Sequence, residues 1–388
     1  MSYFHLNLIL KGKLTVCCLL MLPAIPLNAQ REAKQIGDFK ESISLNEHLR
    51  GTKRTLQYRP DGDEFVCVNG KNRYTRALYG SHSPFRVETS DRPVFAFYNN
   101  GRGGNISFKV ILRDGTELAL DCTGHCESRY SAGKRTYYLT DPSWGKGELR
   151  ISVLALADMD GAIWRFSPSN MPKGAILRWQ HGGATGKRLS RNGDMGVDPA
   201  DCFELPVEAT DLVTGELPLQ KEVYLVRGEV PEDYNVRKLY QQAEAASLAL
   251  ASHLKIETPD PYLNTLGGAL VAAADGIWDG QVWLHGAVGW RMPLSGWRAG
   301  YTGDALGWHD RARTHFDAYA ASQVTDVPNT IPHPVQDSTM NLARSEKRWG
   351  TPQYSNGYIC RNPRRNNQMH HYDMNLCYMD ELLWHFNW

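Results

Sequence analysis

The chain has 388 residues, 42% of them hydrophobic and 22% charged, which is enough apolar content for a large core and for more than one domain. Its 43 basic and 42 acidic side chains nearly cancel, and removal of residues 1–29, which carry two lysines and no acids, leaves 41 against 42. A neutral chain lacks the basic field that draws a protein to nucleic acid or to an anionic membrane, so neither is expected as a partner.

At the start, Lys11 and Lys13 precede the apolar run "LTVCCLLMLPAIPL", and Ala29 offers a small residue for cleavage before Gln30. This is the grammar of a signal peptide over 1–29, and it places the mature protein in the periplasm or outside the cell. The run is too short to span a bilayer, Pro23 and Pro26 interrupt it, and no later segment is apolar enough to span. Six of the eight cysteines remain after cleavage, and Cys122 and Cys126 in "DCTGHCES" are spaced for a local disulfide, a bridge that a chain of this size can form or do without. No second Cys or His pair complements them, so the expectation is no metal and no cofactor.

Between about residues 52 and 228 the chain reads as short β-favouring runs separated by Gly, Asn, Asp and Pro, among them "EFVCVNG", "VFAFYNN", "ISFKVILRDG", "RTYYLTD" and "EVYLVRGE". Ile106, Phe108, Val110 and Leu112 alternate with Ser107, Lys109 and Arg113, the pattern of a strand buried on one face. Many such runs without a helical pattern between them predict a β-sandwich domain over 40–230, with a barrel as the alternative. The grammar then changes. Leu239, Ala243, Ala246, Leu250 and Leu254 recur at three- and four-residue steps and predict a linker helix over 231–256. Prolines in "IETPDPYLN" end it, and helical patterns resume in "LNTLGGALVAAADGIWDG" and "ALGWHDRARTHFDAYAAS". Residues 325–367 read as a long loop, and "HHYDMNLCYMDELLWHFNW" as a helix apolar nearly all round.

A sandwich, a linker helix, "ETPDPYLN" and then tryptophan-rich helices with "GWRAGYTGDALGW" resemble the six-hairpin glycosidases, and more narrowly an uncharacterised branch of exported bacterial polysaccharide-degrading proteins. The resemblance covers residues 40–388, with 257–312 and 370–388 its distinctive stretches. It implies a β-then-α, multidomain architecture in which 257–388 form the N-terminal part of an (α/α)6 toroid. It also implies two carboxyl groups as the chemical machinery in a funnel lined by aromatic and acidic side chains.

The density of Trp and Arg in 289–312 has a physical reading in the same direction. Sugars present apolar C–H faces and polar edges, so a site for them combines indole planes with guanidinium and carboxylate groups. Trp290, Trp297 and Trp308 are candidate platforms, Arg298 a candidate grip for hydroxyls or a uronate, and Tyr301 and Asp304 candidate edge contacts. The bland alternative stays open beside it: the tryptophans are core, and Asp304 caps a helix beginning at Ala305. In the final segment Asp373 opens a helix with His371 and Tyr372 beside it, and it is either a catalytic carboxylate or a cap. Asp373 and Asp304 are therefore the candidate catalytic pair, with Trp290, Trp297, Arg298, Tyr301, Trp308, His371 and Tyr372 as candidate substrate-binding residues.

The function expected on this basis is glycoside hydrolysis of a polysaccharide or oligosaccharide by a carboxylate acid/base mechanism. A polysaccharide lyase, with a Tyr or His base and a neutralising Arg, is one alternative, and a non-catalytic carbohydrate-binding protein is another. The patterns after Thr258 amount to about two helical hairpins and the chain stops inside "LLWHFNW", so the catalytic domain is expected to be incomplete and this form inactive. The oligomeric state is left open.

Overall fold

A computed structural model describes residues 57–71, 76–99, 102–182, 212–286, 293, 302–322, 335–337, 342–344 and 363. All lie in one compact unit that begins at Gln57. In chain order the first strands are β1 (Arg59–Asp61), β2 (Glu64–Val68), β3 (Arg76–Leu78), β4 (Arg86–Thr89), β5 (Phe95–Asn99), β6 (Arg102–Ile111) and β7 (Glu117–Ala119). They are followed by β8 (His125–Ser131), β9 (Lys134–Thr140), β10 (Glu148–Ala155), β11 (Gly161–Ser169), β12 (Ile176–Gly182), β13 (Val213–Pro218) and β14 (Val223–Gly228). The longer helices among the described residues come next: α1 (Val236–Ala251), α2 (Pro261–Gly276) and α3 (His309–Ala320). The short strands β15 (Val335–Asp337) and β16 (Leu342–Arg344) pair with each other.

The strands form two antiparallel sheets, one in the order β1-β2-β8-β9-β10-β11-β14 and the other β13-β12-β6-β5-β4-β3, with β7 beside β6. Period-two alternation explains the pairing. In β8, Cys126, Ser128 and Tyr130 turn inward while His125, Glu127, Arg129 and Ser131 turn out, and in β6 Ile106, Phe108 and Val110 are buried. The β8–β9 hairpin closes with Ser131 opposite Lys134, and its turn needs the left-handed backbone of Gly133, at φ 76°.

The inner faces share one core. Trp164 of β11 sits at its centre, with Phe95 and Phe97 of the facing sheet edge-on at 5.5 and 5.6 Å, while Phe108 packs on Phe166 at 5.1 Å. Cys67 and Cys126 are buried in this core, where burial pushes their thiols up to about 11 and about 12 respectively. Cys126 and the exposed Cys122 are both free thiols, so the local bridge is not formed.

The helices cover the sandwich. Asn235 caps α1 by accepting from the Lys238 N–H at 3.0 Å, and α1 then buries Leu239, Tyr240 and Ala243 against Leu154, Leu156 and Ile163 on the outer face of the first sheet. Asp260 caps α2 in the same way through Tyr262 N–H at 2.8 Å.

This overturns the expected architecture. Among the described residues the protein is mainly two antiparallel sheets with few helices, and the β-then-α arrangement ending in an incomplete (α/α)6 toroid is not what they form. The reason lies in the small residues of α2. Gly268 packs against Ala132 of the β8–β9 turn, the Thr265 hydroxyl donates to the Gly62 carbonyl at 2.9 Å, and Gly276 lies against the Tyr79 ring. A toroid helix would spend that face on partner helices; here it is laid on the turns of the sandwich. Among the described residues no helix is long and apolar enough to cross a membrane.

Candidate functional site

The C-terminal end of α2, the 79–85 loop between β3 and β4, and the start of α3 come together at one place. Arg86, fully buried, donates through Nη1 to the Ser83 carbonyl at 2.6 Å and to that of Phe85, and through Nη2 to the Gly276 carbonyl. Its guanidinium also lies over the Tyr79 ring, 4.7 Å from the centroid. A Cβ at Gly276 would stand 2.4 Å from that ring, so only glycine lets the helix end settle there. One arginine thus fastens the loop that carries His82 to the helix end that carries Asp275.

Asp275 is the centre of the cluster. Its Oδ1 accepts from Arg311 Nη1 at 2.7 Å and from His82 Nε2 at 3.1 Å. Its Oδ2 accepts from none of the described residues. The side chains are 18% exposed for Asp275, 25% for Arg311 and 39% for His82, a half-open arrangement. Burial alone would push the Asp275 carboxyl up, but the hydrogen bonds and charges of His82 and Arg311 outweigh it and hold the group below the ordinary aspartate range. The carboxylate is therefore ionised, with one oxygen clamped and the other taken by no described donor.

Indoles frame it. The Arg311 guanidinium stacks on Trp308 at 4.3 Å and approaches Trp278 at 5.8 Å. Trp278 packs on the fully buried Trp283 at 4.7 Å, whose indole N–H donates to the Ala274 carbonyl at 3.2 Å. The Trp283 backbone N–H in turn donates to His315 Nδ1 at 3.3 Å. This floor fixes the guanidinium in a plane beside the carboxylate.

Of the residues singled out in sequence, Trp308 belongs to this cluster, but its ring is covered by Arg311 and neighboured by His253 at 5.6 Å, so it supports the guanidinium. Asp304 lies in a helical turn over 302–305 and its side chain is fully covered, with Oδ1 bonded to His309 Nδ1 at 2.7 Å. It does not cap α3, whose cap position is Trp308 without a side-chain bond. Trp290, Trp297, Arg298, Tyr301, His371, Tyr372 and Asp373 lie outside the described residues. Asp275, Arg311 and His82 escaped the sequence reading. Asp275 had a signal, an acid closing the small apolar run "LVAAAD", and Arg311 stands one helical turn beyond Trp308. His82 had none, because it arrives from 193 residues away. Among the described residues no three His, Cys, Asp or Glu side chains gather closely enough to hold a metal ion.

A family model described as a domain of unknown function (DUF4450) matches residues 100–229. The matched segment runs from β6 to the end of β14, so it takes in the centre of the sandwich and leaves His82, Asp275 and Arg311 outside. A comparison with curated proteins found no match.

Proposed function

We propose that this is an exported carbohydrate-binding protein whose sugar site is the Asp275, His82 and Arg311 cluster. The observation that carries the reading is the partly exposed Asp275 carboxylate, held ionised, with Oδ2 taken by no described donor, beside an indole-backed guanidinium. Such a pair of groups receives vicinal hydroxyls, one donating to the carboxylate and one accepting from the guanidinium. The signal-like residues 1–29 support delivery to where polysaccharides are found.

Glycoside hydrolysis is the second reading, and the ionised carboxylate favours it as a base or nucleophile. It also requires a second carboxyl group about 5–9.5 Å away on the other side of the scissile bond. Titration calorimetry of the full chain against a panel of neutral and acidic oligosaccharides, with reducing-sugar release followed in parallel, tests both. At least one panel member should bind, and Asp275→Asn and Arg311→Ala should each weaken it about tenfold or more, the loss of one charged hydrogen bond. Normal binding by both variants, or no binding across the panel, overturns the proposal. Bond cleavage that Asp275→Asn abolishes would establish the second reading in place of simple binding.

A further inference from the structure

Polar side chains enter the sandwich interior at more than one place, Arg135 among them, and one such place lies beside Phe97. There β12 of one sheet and β14 of the other bring Trp179, His181 and Arg227 together on the inner side, next to Phe97. Arg227 donates through Nε and Nη2 to His181 Nδ1 at 3.1 and 3.0 Å, and its guanidinium lies over the Trp179 ring, 5.1 Å from the centroid. The indole is held from another side by Gly215, where a Cβ would come within 2.5 Å of the ring. The His181 ring packs on Phe97 at 5.0 Å, and Phe97 in turn touches Trp164 at the centre of the core.

Arg227 is therefore a half-buried cation seated against the rim of an apolar interior. Nδ1 of His181 must be unprotonated to accept its two bonds, so the guanidinium is paired with a neutral group, and Nη1 donates to none of the described residues. Three other arginines do have carboxylate partners: Arg129 with Asp61, Glu64 and Glu127, Arg178 with Glu117 and Glu216, and Arg311 with Asp275. Among the described residues no carboxylate comes within 4.0 Å of Arg227. A partly desolvated charge without a counter-ion is unfavourable, and the surroundings hold it rigid, planar and open on one edge. Rigid guanidinium edges of this kind are receptors for oxyanions, because no side-chain ordering is left to be lost on binding.

We propose that this mouth of the sandwich is a carboxylate-binding site, in which the free edge of Arg227 receives the carboxylate of a small organic acid or of a uronic acid residue in a glycan. Trp179 backs the guanidinium, and His181 keeps its inner edge turned so that the outer edge faces the ligand. The three residues fall within the segment matched by the family model, whereas the Asp275 cluster does not. The inference is independent of the sugar-site reading and stands if that reading fails.

Titration of the full chain with glucuronate, glucose, acetate and inorganic sulfate tests it. In the full chain carrying Asp275→Asn, which disables the other site, glucuronate should bind and glucose should not. Binding of acetate at comparable strength would identify a free carboxylate as sufficient, and its absence would show that the sugar ring contributes; either outcome keeps the site. Sulfate binding as tightly as either carboxylate would overturn selectivity for a carboxylate. Arg227→Gln should weaken glucuronate at least tenfold, and Arg227→Lys, which keeps the charge and loses the fork, should fall between. Arg178→Gln, on the exposed outer face, should leave the affinity within twofold of the parent. If no anion binds, if Arg227→Lys binds as well as the parent, or if Arg178→Gln is as damaging as Arg227→Gln, Arg227 is only a clasp between the two sheets.

Discussion

Two donors converge on a single oxygen of Asp275, and the contest between them and burial sets how the site responds to acid. The folded-state pKa is depressed below the unfolded aspartate value of about 3.9, so the ion pair stabilises fully above that value and loses its contribution as pH falls through the folded pKa. The pair is mostly covered from solvent, which makes its worth about 1–2 kcal/mol rather than the near-zero of an exposed bridge. Urea unfolding of the parent and Asp275→Asn should therefore differ by that amount between about pH 5 and 7, with the gap shrinking below about pH 4. A gap that is constant down to pH 2 would show that the charge on Asp275 plays no part in stability. At this scale sequence had limited reach. Asp304 and Trp308 stood out because tryptophans and glycines surround them, yet the side chain of Asp304 is sealed and bonded to His309, whereas His82 and Asp275 meet only through the fold.

At the level of elements, helical periodicity located α1 and, in Leu239 and Ala243, part of its buried face. The apolar stripe through Leu239, Ala243, Ala246, Leu250 and Leu254 leaves out Tyr240, which the structure buries beneath Arg165 at 4.3 Å, and counts Ala246, which it exposes. A tyrosine ring buries more area than an alanine methyl, and its polar tip disguises it in a hydrophobic pattern. Ser247 follows the same rotation, its hydroxyl donating to the Ala132 carbonyl at 2.6 Å. In α2 the helical pattern gives no special place to Gly276, although that is where the helix meets the sandwich. Gly276→Ala places a methyl 2.4 Å from the Tyr79 ring, which Arg86 holds from another side. The helix end must then lift, at a cost of about 1–3 kcal/mol, and the distance between His82 and Asp275 must grow with it. Thermal denaturation should register a lower midpoint, and the acid-dependent part of stability assigned to Asp275 should diminish in the same variant. An unchanged midpoint would mean that the Tyr79 ring has room to move.

Across the whole molecule, period-two alternation and helical stripes are local signals, and they report that a segment has an apolar face without reporting what covers it. A helix laid on a sheet and a helix packed in a toroid satisfy the same stripe, which is why the six-hairpin expectation fitted α2 and α3 by pattern and failed by packing. The sandwich centre makes the actual partnership testable. On β11, Trp164 points into the core while its neighbours Ile163 and Arg165 point outward and receive Tyr240 of α1. The indole N–H of Trp164 has no hydrogen-bond partner, so the ring contributes through packing alone. Trp164→Ala should therefore cost about 3–5 kcal/mol through the cavity left between Phe95, Phe97 and Phe108, while Trp164→Phe, which keeps an aromatic ring and removes the unpartnered N–H, should cost less than half of that. Because one strand carries both the core contact and the helix seat, loss of the ring should loosen α1 together with the sheets. Far-ultraviolet circular dichroism at the helical band and near-ultraviolet aromatic signals of Trp164→Ala should then fall in one transition, shifted down by several degrees from the parent. A helical signal that persists to the parent temperature after the aromatic signal has collapsed would show that the helices hold themselves together, and the picture of helices laid on a sandwich would have to be given up.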